Sequence, residues 1–328
     1  MCLYPKLIKN RKYIANKKNG GKIPAVSDNR TLLVPVGCGK CIECRKQYSR
    51  SWQVRLLEEV RENKNGKMVT LTFNTESLIE LEKEISKKIK IEGYERDNQI
   101  CTLAVRRFLE RWRKKHKKSV KHWLITELGH GKTEHVHIHG IIWTNEKNEE
   151  ILKHWKYGNA TIGNGKINFV NEQTVNYIIK YVTKIDEKHE EYKPIILTSK
   201  GIGKGYIQRE KDKHKYKENK TDEAYRNRQG YKMNMPVYYR NKIYSEEERE
   251  KLWIEKLNKN ERYVLGEKID VSKNEDLYFK ILEIARKKNK RLGYGDDKIN
   301  WDRKIYENNL RNTKPNIVTG KQIGRAHV

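Results

Sequence analysis

The spacing of apolar residues over the first 210 positions predicts alternating helices and strands. Residues 47–62 have an apolar side chain at every fourth position, which is typical of a helix buried along one side. Residues 67–74 alternate between apolar and polar types and are rich in β-formers, which indicates a strand. Residues 98–118 return to helical spacing and expose arginine and lysine on the opposite side.

A β-hairpin is predicted next, followed by another helix. Residues 121–129 and 135–143 are both strand-like and are joined by a short polar turn. A helical pattern follows at residues 172–184. The order helix, strand, helix, strand, strand, helix predicts an α+β fold, in which helices pack on a mainly antiparallel sheet.

After about residue 210 the chain is rich in lysine, glutamate and asparagine, and helices are expected near 245–258 and 274–290. We therefore expect an N-terminal cysteine-containing segment at 1–46, a central domain at 47–210 and a basic, largely helical extension at 211–328. The last six residues, IGRAHV, match a common sequencing-adapter read when back-translated. Residues 323–328 are thus expected to be an assembly artefact.

The chain is strongly basic: 72 lysines and arginines face 43 acidic residues, a net charge of +29. Such a charge attracts polyanions, so nucleic acid is the leading expected partner and an anionic membrane the weaker one. No apolar run approaches the roughly 20 residues of a membrane span, and the N-terminus has no secretory pattern. We expect a soluble intracellular protein.

A cysteine cluster occurs in GCGKCIECRK, where Cys38, Cys41 and Cys44 follow a C-x-x-C-x-x-C pattern. Structural zinc sites use four ligands, and Cys2 can supply the fourth thiolate. Reduced cysteines in a basic loop explain the pattern equally well, so both interpretations stand on the sequence alone.

Three histidines, His135, His137 and His139, alternate along the second strand of the hairpin and therefore share one face. Glu127 on the partner strand can reach across the hairpin toward His137 and His139. Two imidazoles and a carboxylate suit a catalytic ion that polarises a phosphate. The alternative is that all three are structural histidines on a strand.

The helix at 172–184 places Tyr177, Lys180, Tyr181 and Lys184 on one face, because their spacing is i, i+3, i+4 and i+7. Tyrosine is a covalent nucleophile once its hydroxyl is activated, and nearby lysine charge favours the phenolate. The alternative is two amphipathic tyrosines that pack at the edge of a core.

Taken in order, VTLTF, the HIH strand and YIIKYVTK resemble the HUH endonucleases that initiate rolling-circle replication. The doubled tyrosine is similar to the two-tyrosine initiators of the Microviridae. The closer resemblance is to the initiators of gokushoviruses, small single-stranded DNA phages. It rests on the MCLYP start, GCGKCIECRK, the H-x-H strand and SKGIGKGY at 199–206, and covers roughly residues 1–210.

The resemblance implies a mechanism. His137 and His139 match the two histidines of the family, and Glu127 lies where a third ligand is expected for Mg²⁺ or Mn²⁺. One tyrosine would cut single-stranded origin DNA, leaving a 5′-phosphotyrosine and a 3′-hydroxyl, and the other would act after one round of copying. Lys180 and Lys184 would steady the phenolate or hold the phosphate. The expected partners are origin DNA and the host polymerase and helicase, in the cytoplasm of a bacterial host.

DNA contacts are expected on the basic helix at 98–118, and two other functions remain open. A sequence-tolerant single-strand binder would explain the charge and the aromatic residues. A transposase or relaxase would use the same chemistry on different DNA ends. No Walker motif occurs, so an attached helicase is not indicated. The candidate DNA-binding residues are Arg106, Arg107, Arg111, Arg113 and Lys114.

Overall fold

The computed structural model of the protein describes residues 2–130, 134–163, 170–184, 186–189 and 192–295. The chain divides into two compact units. The first combines the residues up to Val54 with those from Lys204 onward, and the second spans Arg55–Gly203. The turn residues 131–133 of the predicted hairpin and the adapter-like residues 323–328 lie outside the described residues.

The element bounds are as follows. The helices are α1 (Ile42–Glu62), α2 (Thr75–Ser86), α3 (Gly93–His116), α4 (Asn148–His154), α5 (Glu172–Thr183), α6 (Gly205–Glu210), α7 (Val237–Ile243), α8 (Glu246–Asn258) and α9 (Asp276–Arg291). The strands are β1 (Lys6–Lys9), β2 (Leu33–Val36), β3 (Gly66–Leu71), β4 (Lys121–Leu128), β5 (Val136–Trp143), β6 (Ala160–Ile162), β7 (Ile196–Thr198), β8 (Ala224–Arg226), β9 (Lys232–Asn234), β10 (Glu261–Val264) and β11 (Glu267–Asp270).

The second unit is built on a five-stranded sheet in the order β6-β3-β5-β4-β7, and each neighbouring pair is antiparallel. Helices pack on this sheet, so the α+β prediction is confirmed. The predicted hairpin is also confirmed, since β4 pairs with β5 along its whole length.

One face of the sheet is covered by α3. Phe108 and Trp112 of this helix are fully buried in one core with Leu124 of β4 and Ile138 of β5. The two central strands lie close together here, because a Cβ atom on Gly140 would be 2.3 Å from the carbonyl oxygen of Trp123. A backbone oxygen cannot yield to a side chain, so this position of β5 requires glycine.

The opposite face presents the odd-numbered residues of β5, because side chains alternate along a strand. His139 of β5 stacks on Tyr181 of α5, so α5 lies on this second face. Val175 and Ile178 of α5 are fully buried. The two helices therefore cover opposite faces of one sheet.

The first unit has two small apolar cores. One joins Leu3 and Ile42 to Val264 and Leu282, and the other gathers Val54 with tyrosines including Tyr206 and Tyr239. The segment after residue 210 contains the expected helices α8 and α9. It also contains two hairpins, β8–β9 and β10–β11, so the prediction of a largely helical extension was incomplete.

Among the residues that the structure describes, no helix combines the length and the apolar composition needed to cross a bilayer.

Candidate active site

The hairpin register brings an acidic and two basic side chains together. Glu127 of β4 lies directly opposite His137 of β5, and His139 is two residues further along the same face. The Nε2 atoms of His137 and His139 are 3.5 and 3.0 Å from Oε2 of Glu127. The three ligand atoms converge within 4.8 Å of one another, as a single bound ion requires.

The other ring nitrogen of each histidine is held by the protein. Nδ1 of His137 lies 3.1 Å from the carbonyl oxygen of His135, and Nδ1 of His139 lies 3.1 Å from the hydroxyl of Thr70. Because a carbonyl oxygen only accepts, Nδ1 of His137 is the protonated nitrogen, and its Nε2 lone pair points toward Glu127. Such a contact at Nδ1 is the usual way in which a protein orients a histidine ligand.

The Nε2 atom of His139 is buried without a hydrogen-bond partner among the residues that the structure describes. Its contact with Glu127 is close, but it is not an oriented hydrogen bond. A cation between the imidazoles and the carboxylate would satisfy this buried nitrogen. The three side chains therefore fit a hard divalent ion with imidazole and carboxylate ligands.

Lys184 supplies a positive charge to the site, since its Nζ lies 2.6 Å from Oε1 of Glu127. Burial would raise the pKa of Glu127, but the interactions with His137, His139 and Lys184 outweigh burial and hold that pKa well below the usual carboxyl range. Glu127 is consequently ionised and available as an anionic ligand.

The two tyrosines of α5 lie beside this cluster. The helix begins with a capping box between Asn171 and Thr174 and places Tyr177 and Tyr181 one turn apart. Their hydroxyl oxygens are 2.9 Å apart. Tyr181 is buried, whereas Tyr177 is 43% exposed, so the two hydroxyls occupy one place but differ in access to solvent.

The charge environment of Tyr181 differs from the expectation that lysines favour its phenolate. Burial raises the pKa of Tyr181, and the hydrogen bond with Tyr177 and the negative charge of Glu127 raise it further. Lys180 lies over the aromatic ring of Tyr177, with Nζ 3.8 Å from the ring centroid, and Lys184 is engaged by Glu127. Neither ammonium group is paired with the Tyr181 hydroxyl, which explains the difference.

His135 is separated from the other two histidines. It precedes β5, and its Nδ1 lies 3.3 Å from the carbonyl oxygen of Phe73. Burial lowers its pKa, so it is held as a neutral ring. Its imidazole does not converge with those of His137 and His139 on Glu127.

The basic residues of α3 are not brought to this site, because α3 covers the other face of the sheet. Arg111 donates to the carbonyl oxygen of His154 and to the hydroxyl of Tyr157, and Arg107 is paired with Glu84. Arg106 is mostly exposed beside Glu110. The exposed cations of this face also include Arg113 and Lys114.

The four cysteines of the N-terminal pattern are brought together in the first unit. The sulfur atoms of Cys2, Cys38, Cys41 and Cys44 all lie within 4.8 Å of one another. Cys101 lies in the core of the second unit, fully buried beside α3 neighbours such as Val105.

Sequence reasoning missed several polar residues around the hairpin. Thr70 was given no chemical role, although strand alternation places it opposite His139. His130, Asp186 and His189 also cluster, as do His116, Glu150 and His154. Their spacings along the chain follow no ligand pattern, so only folding reveals these groups.

Comparison with known proteins shows that the site falls within a family match. Residues 66–186 match the model of a family described as replication-associated protein ORF2. The matched segment includes the histidines, the glutamate and both tyrosines. No curated protein and no solved structure matches the chain. The family match supports a replication-associated role of the rolling-circle initiator type.

Proposed function

We propose that this protein initiates rolling-circle replication by cutting and joining single-stranded origin DNA through a tyrosine-linked intermediate. The observation that supports this most directly is the convergence of two elements on one sheet face. The hairpin contributes His137, His139 and Glu127, and α5 contributes two hydroxyls that are 2.9 Å apart.

Glu127, His137 and His139 would hold the divalent ion. When bound, Mg²⁺ or Mn²⁺ supplies Lewis-acid polarisation of the scissile phosphate. The hydrogen bonds at Nδ1 of both imidazoles keep their Nε2 atoms directed at the carboxylate. The ion site is therefore oriented by groups that need not move during the reaction.

The tyrosines perform the transfer. The phenolic oxygen forms a bond to phosphorus while the bond from phosphorus to the 3′ oxygen breaks. The phenolic proton leaves the nucleophile, and the departing 3′ oxygen takes up a proton. The products are a 5′-phosphotyrosine and a free 3′-hydroxyl, so the energy of the phosphodiester bond is kept for the later joining step.

Two adjacent hydroxyls allow the two tyrosines to act in turn. While one is linked to the 5′ end, the other can attack the regenerated origin, and the released 3′-hydroxyl then closes the first strand. Because Tyr177 and Tyr181 share one location, the same phosphate position serves both attacks. Lys180 lies over the Tyr177 ring and provides positive charge near the phosphate.

The proposal includes partners and a compartment. The free 3′-hydroxyl would prime the host polymerase, and a host helicase would open the duplex ahead of it, in the cytoplasm of a bacterial host. The net charge of +29 favours binding of the DNA backbone. The initiator would resemble those of the Microviridae in using two tyrosines.

Covalent adduct formation tests the proposal. A labelled single-stranded oligonucleotide from the phage origin is incubated with protein and Mn²⁺, and denaturing gels detect the protein–DNA adduct. We expect adducts with the wild type and with each single variant, Tyr177→Phe and Tyr181→Phe, and none with the double variant. An adduct with the double variant would overturn the proposed nucleophiles.

Two control variants separate cleavage from binding. Glu127→Gln should abolish the adduct while single-strand binding persists, whereas Glu110→Gln on α3 should leave both unchanged. A protein that binds single-stranded DNA tightly but never forms an adduct in Mn²⁺ would instead be a sequence-tolerant binder. Adducts only with ends of transposon or plasmid transfer origins would point to a transposase or relaxase.

A further inference from the structure

The cysteine cluster of the first unit has the geometry of a four-ligand metal site. The sulfur atoms of Cys2 and Cys41 are 3.9 Å apart, and so are those of Cys38 and Cys44. Four thiolates bound to one zinc ion at about 2.3 Å lie about 3.8 Å from one another. The separations are nearly twice the roughly 2.05 Å of a disulfide, and the cysteines are free thiols.

The backbone around the cluster is arranged to stabilise negative sulfur. The amides of Tyr4 and Cys38 donate to the sulfur of Cys2, at 3.3 and 3.2 Å. The amide of Cys41 donates to the sulfur of Cys38 at 3.3 Å. Hydrogen bonds of this kind strengthen with charge on the acceptor and commonly surround metal-bound ligands.

The loop between the ligands depends on two glycines. Gly39 has a positive φ of 75°, which lets the chain turn between Cys38 and Cys41. Gly37 packs directly against the cluster, since a Cβ atom there would lie 3.0 Å from the sulfur of Cys44. The spacing of the loop is therefore matched to four closely packed sulfur atoms.

We propose that Cys2, Cys38, Cys41 and Cys44 bind one structural zinc ion. Four soft thiolate ligands in a compact group select zinc, and four protein ligands complete a tetrahedral site without an open position for substrate. The site is therefore structural. It lies in the first unit and is independent of the proposed function, which uses a divalent ion on the hairpin of the second unit.

The zinc ion would stabilise a core that is otherwise small. The cluster sits in an apolar core that joins residues near the N-terminus to residues beyond 260. Arg286 of α9 donates to the carbonyl oxygen of Leu3, and Asn289 of α9 accepts from the amide of Ile42. Because few apolar side chains fill this core, metal ligation supplies a cross-link where burial alone is modest.

Metal content is the first test. Full-length protein is purified without added metal or chelator, and zinc is measured by inductively coupled plasma mass spectrometry. We expect about one zinc per chain in the wild type and in Cys101→Ala, a control at a cysteine outside the cluster. Cys41→Ser and Cys44→Ser should hold less than about a fifth of that amount.

Two measurements on the wild type avoid dependence on variants that fail to fold. Replacing zinc by Co²⁺ should give thiolate charge-transfer bands and the visible bands of a tetrahedral site. Four thiols should resist alkylation before chelation and react after it. Equal zinc in the wild type and Cys41→Ser, or a Co²⁺ spectrum without thiolate bands, would overturn the proposal. So would stoichiometric iron in place of zinc.

The structural role has its own readout. Chelation should make residues 2–54 and 204–295 more susceptible to limited proteolysis and leave the fragment around 55–203 protected. Unchanged cleavage after complete zinc removal would contradict a stabilising role. None of these measurements requires nicking activity, so failure of the adduct test and failure of the zinc proposal are distinguishable.

Discussion

The imidazole ring of His139 lies parallel to the phenol ring of Tyr181, with 4.6 Å between the ring centroids and 2° between their planes. This contact joins a candidate metal ligand on β5 to a candidate nucleophile on α5. Because Thr70 fixes the other side of the same imidazole, a change on β3 can alter the ion site without contact to either the ion or the DNA.

Thr70→Val should weaken metal binding. The substitution removes the hydroxyl beside Nδ1 of His139, so the ring loses the contact that orients its Nε2 atom. Loss of such an outer contact typically reduces metal affinity about 10- to 100-fold. Mn²⁺ binding measured by electron paramagnetic resonance would detect this change.

Thr72→Val is the matched control for this effect. The Thr72 hydroxyl donates to the carbonyl oxygen of Asn159 and has no contact with His139. Its Mn²⁺ affinity should equal that of the wild type. If both variants bind Mn²⁺ as the wild type does, the hydroxyl of Thr70 does not orient the ligand.

Lys184→Met should increase the affinity for Mn²⁺ in the absence of DNA. The ammonium group lies 2.6 Å from Glu127 and competes with a bound cation for the same carboxylate. Removing one charge at this range corresponds to roughly 1 kcal/mol, or about fivefold in affinity. Lys188→Met is the control, because Lys188 pairs with Glu134 instead. Weaker Mn²⁺ binding by Lys184→Met would exclude this competition.

Two arginines of α3 should respond in opposite ways to alanine substitution. Arg111→Ala removes hydrogen bonds to the carbonyl of His154 and should lower the free energy of unfolding by about 1.5–3 kcal/mol. Arg113→Ala should change stability by less than about 0.5 kcal/mol. If Arg113 contacts DNA, its removal should reduce the salt slope of single-strand binding by about 0.7.

Chemical denaturation and salt titrations measure both effects. Arg111→Ala serves as the structural counterpart, because its guanidinium is engaged within the protein. If Arg113→Ala leaves the salt slope unchanged, this face of α3 does not bind the DNA backbone. The DNA path would then follow the sheet face that bears α5.

His122 should make the stability of the protein depend on pH. Burial lowers the pKa of His122, although the hydrogen bond to Val120 partly opposes it. The unfolded chain therefore takes up a proton near pH 6.5 that the folded protein does not. The contribution of His122 is complete above about pH 6.5 and is lost as the pH falls through its folded pKa, with a slope of at most about 1.4 kcal/mol per pH unit.

Denaturant titrations between pH 5 and 8 on the wild type and on His122→Gln would measure this contribution. The difference between the two curves isolates His122 from other titrating histidines. We expect the wild type to lose more stability than the variant as the pH falls. Parallel curves would mean that His122 does not contribute to the acid sensitivity.

Much of the second unit follows from local patterns. Alternation of side chains predicts that Glu127, His137 and His139 share a face, and the structure has this arrangement because the hairpin fixes its own register. Helical spacing likewise predicts that Tyr177 and Tyr181 are neighbours. Helix α2 and the short edge strands β6 and β7 were not predicted, because elements of a few residues have weak patterns and are stabilised by the strands beside them.

The sequence by itself determined the hairpin, the tyrosine helix and the cysteine spacing, because each depends on contacts between residues that are close along the chain. Only the tertiary structure decided that α5 and α3 cover opposite faces of the sheet, which separates the basic helix from the tyrosines. It also decided that Lys184 pairs with Glu127 and that Cys2 joins cysteines some 36 residues away. These relationships depend on packing between distant segments, which no local pattern encodes.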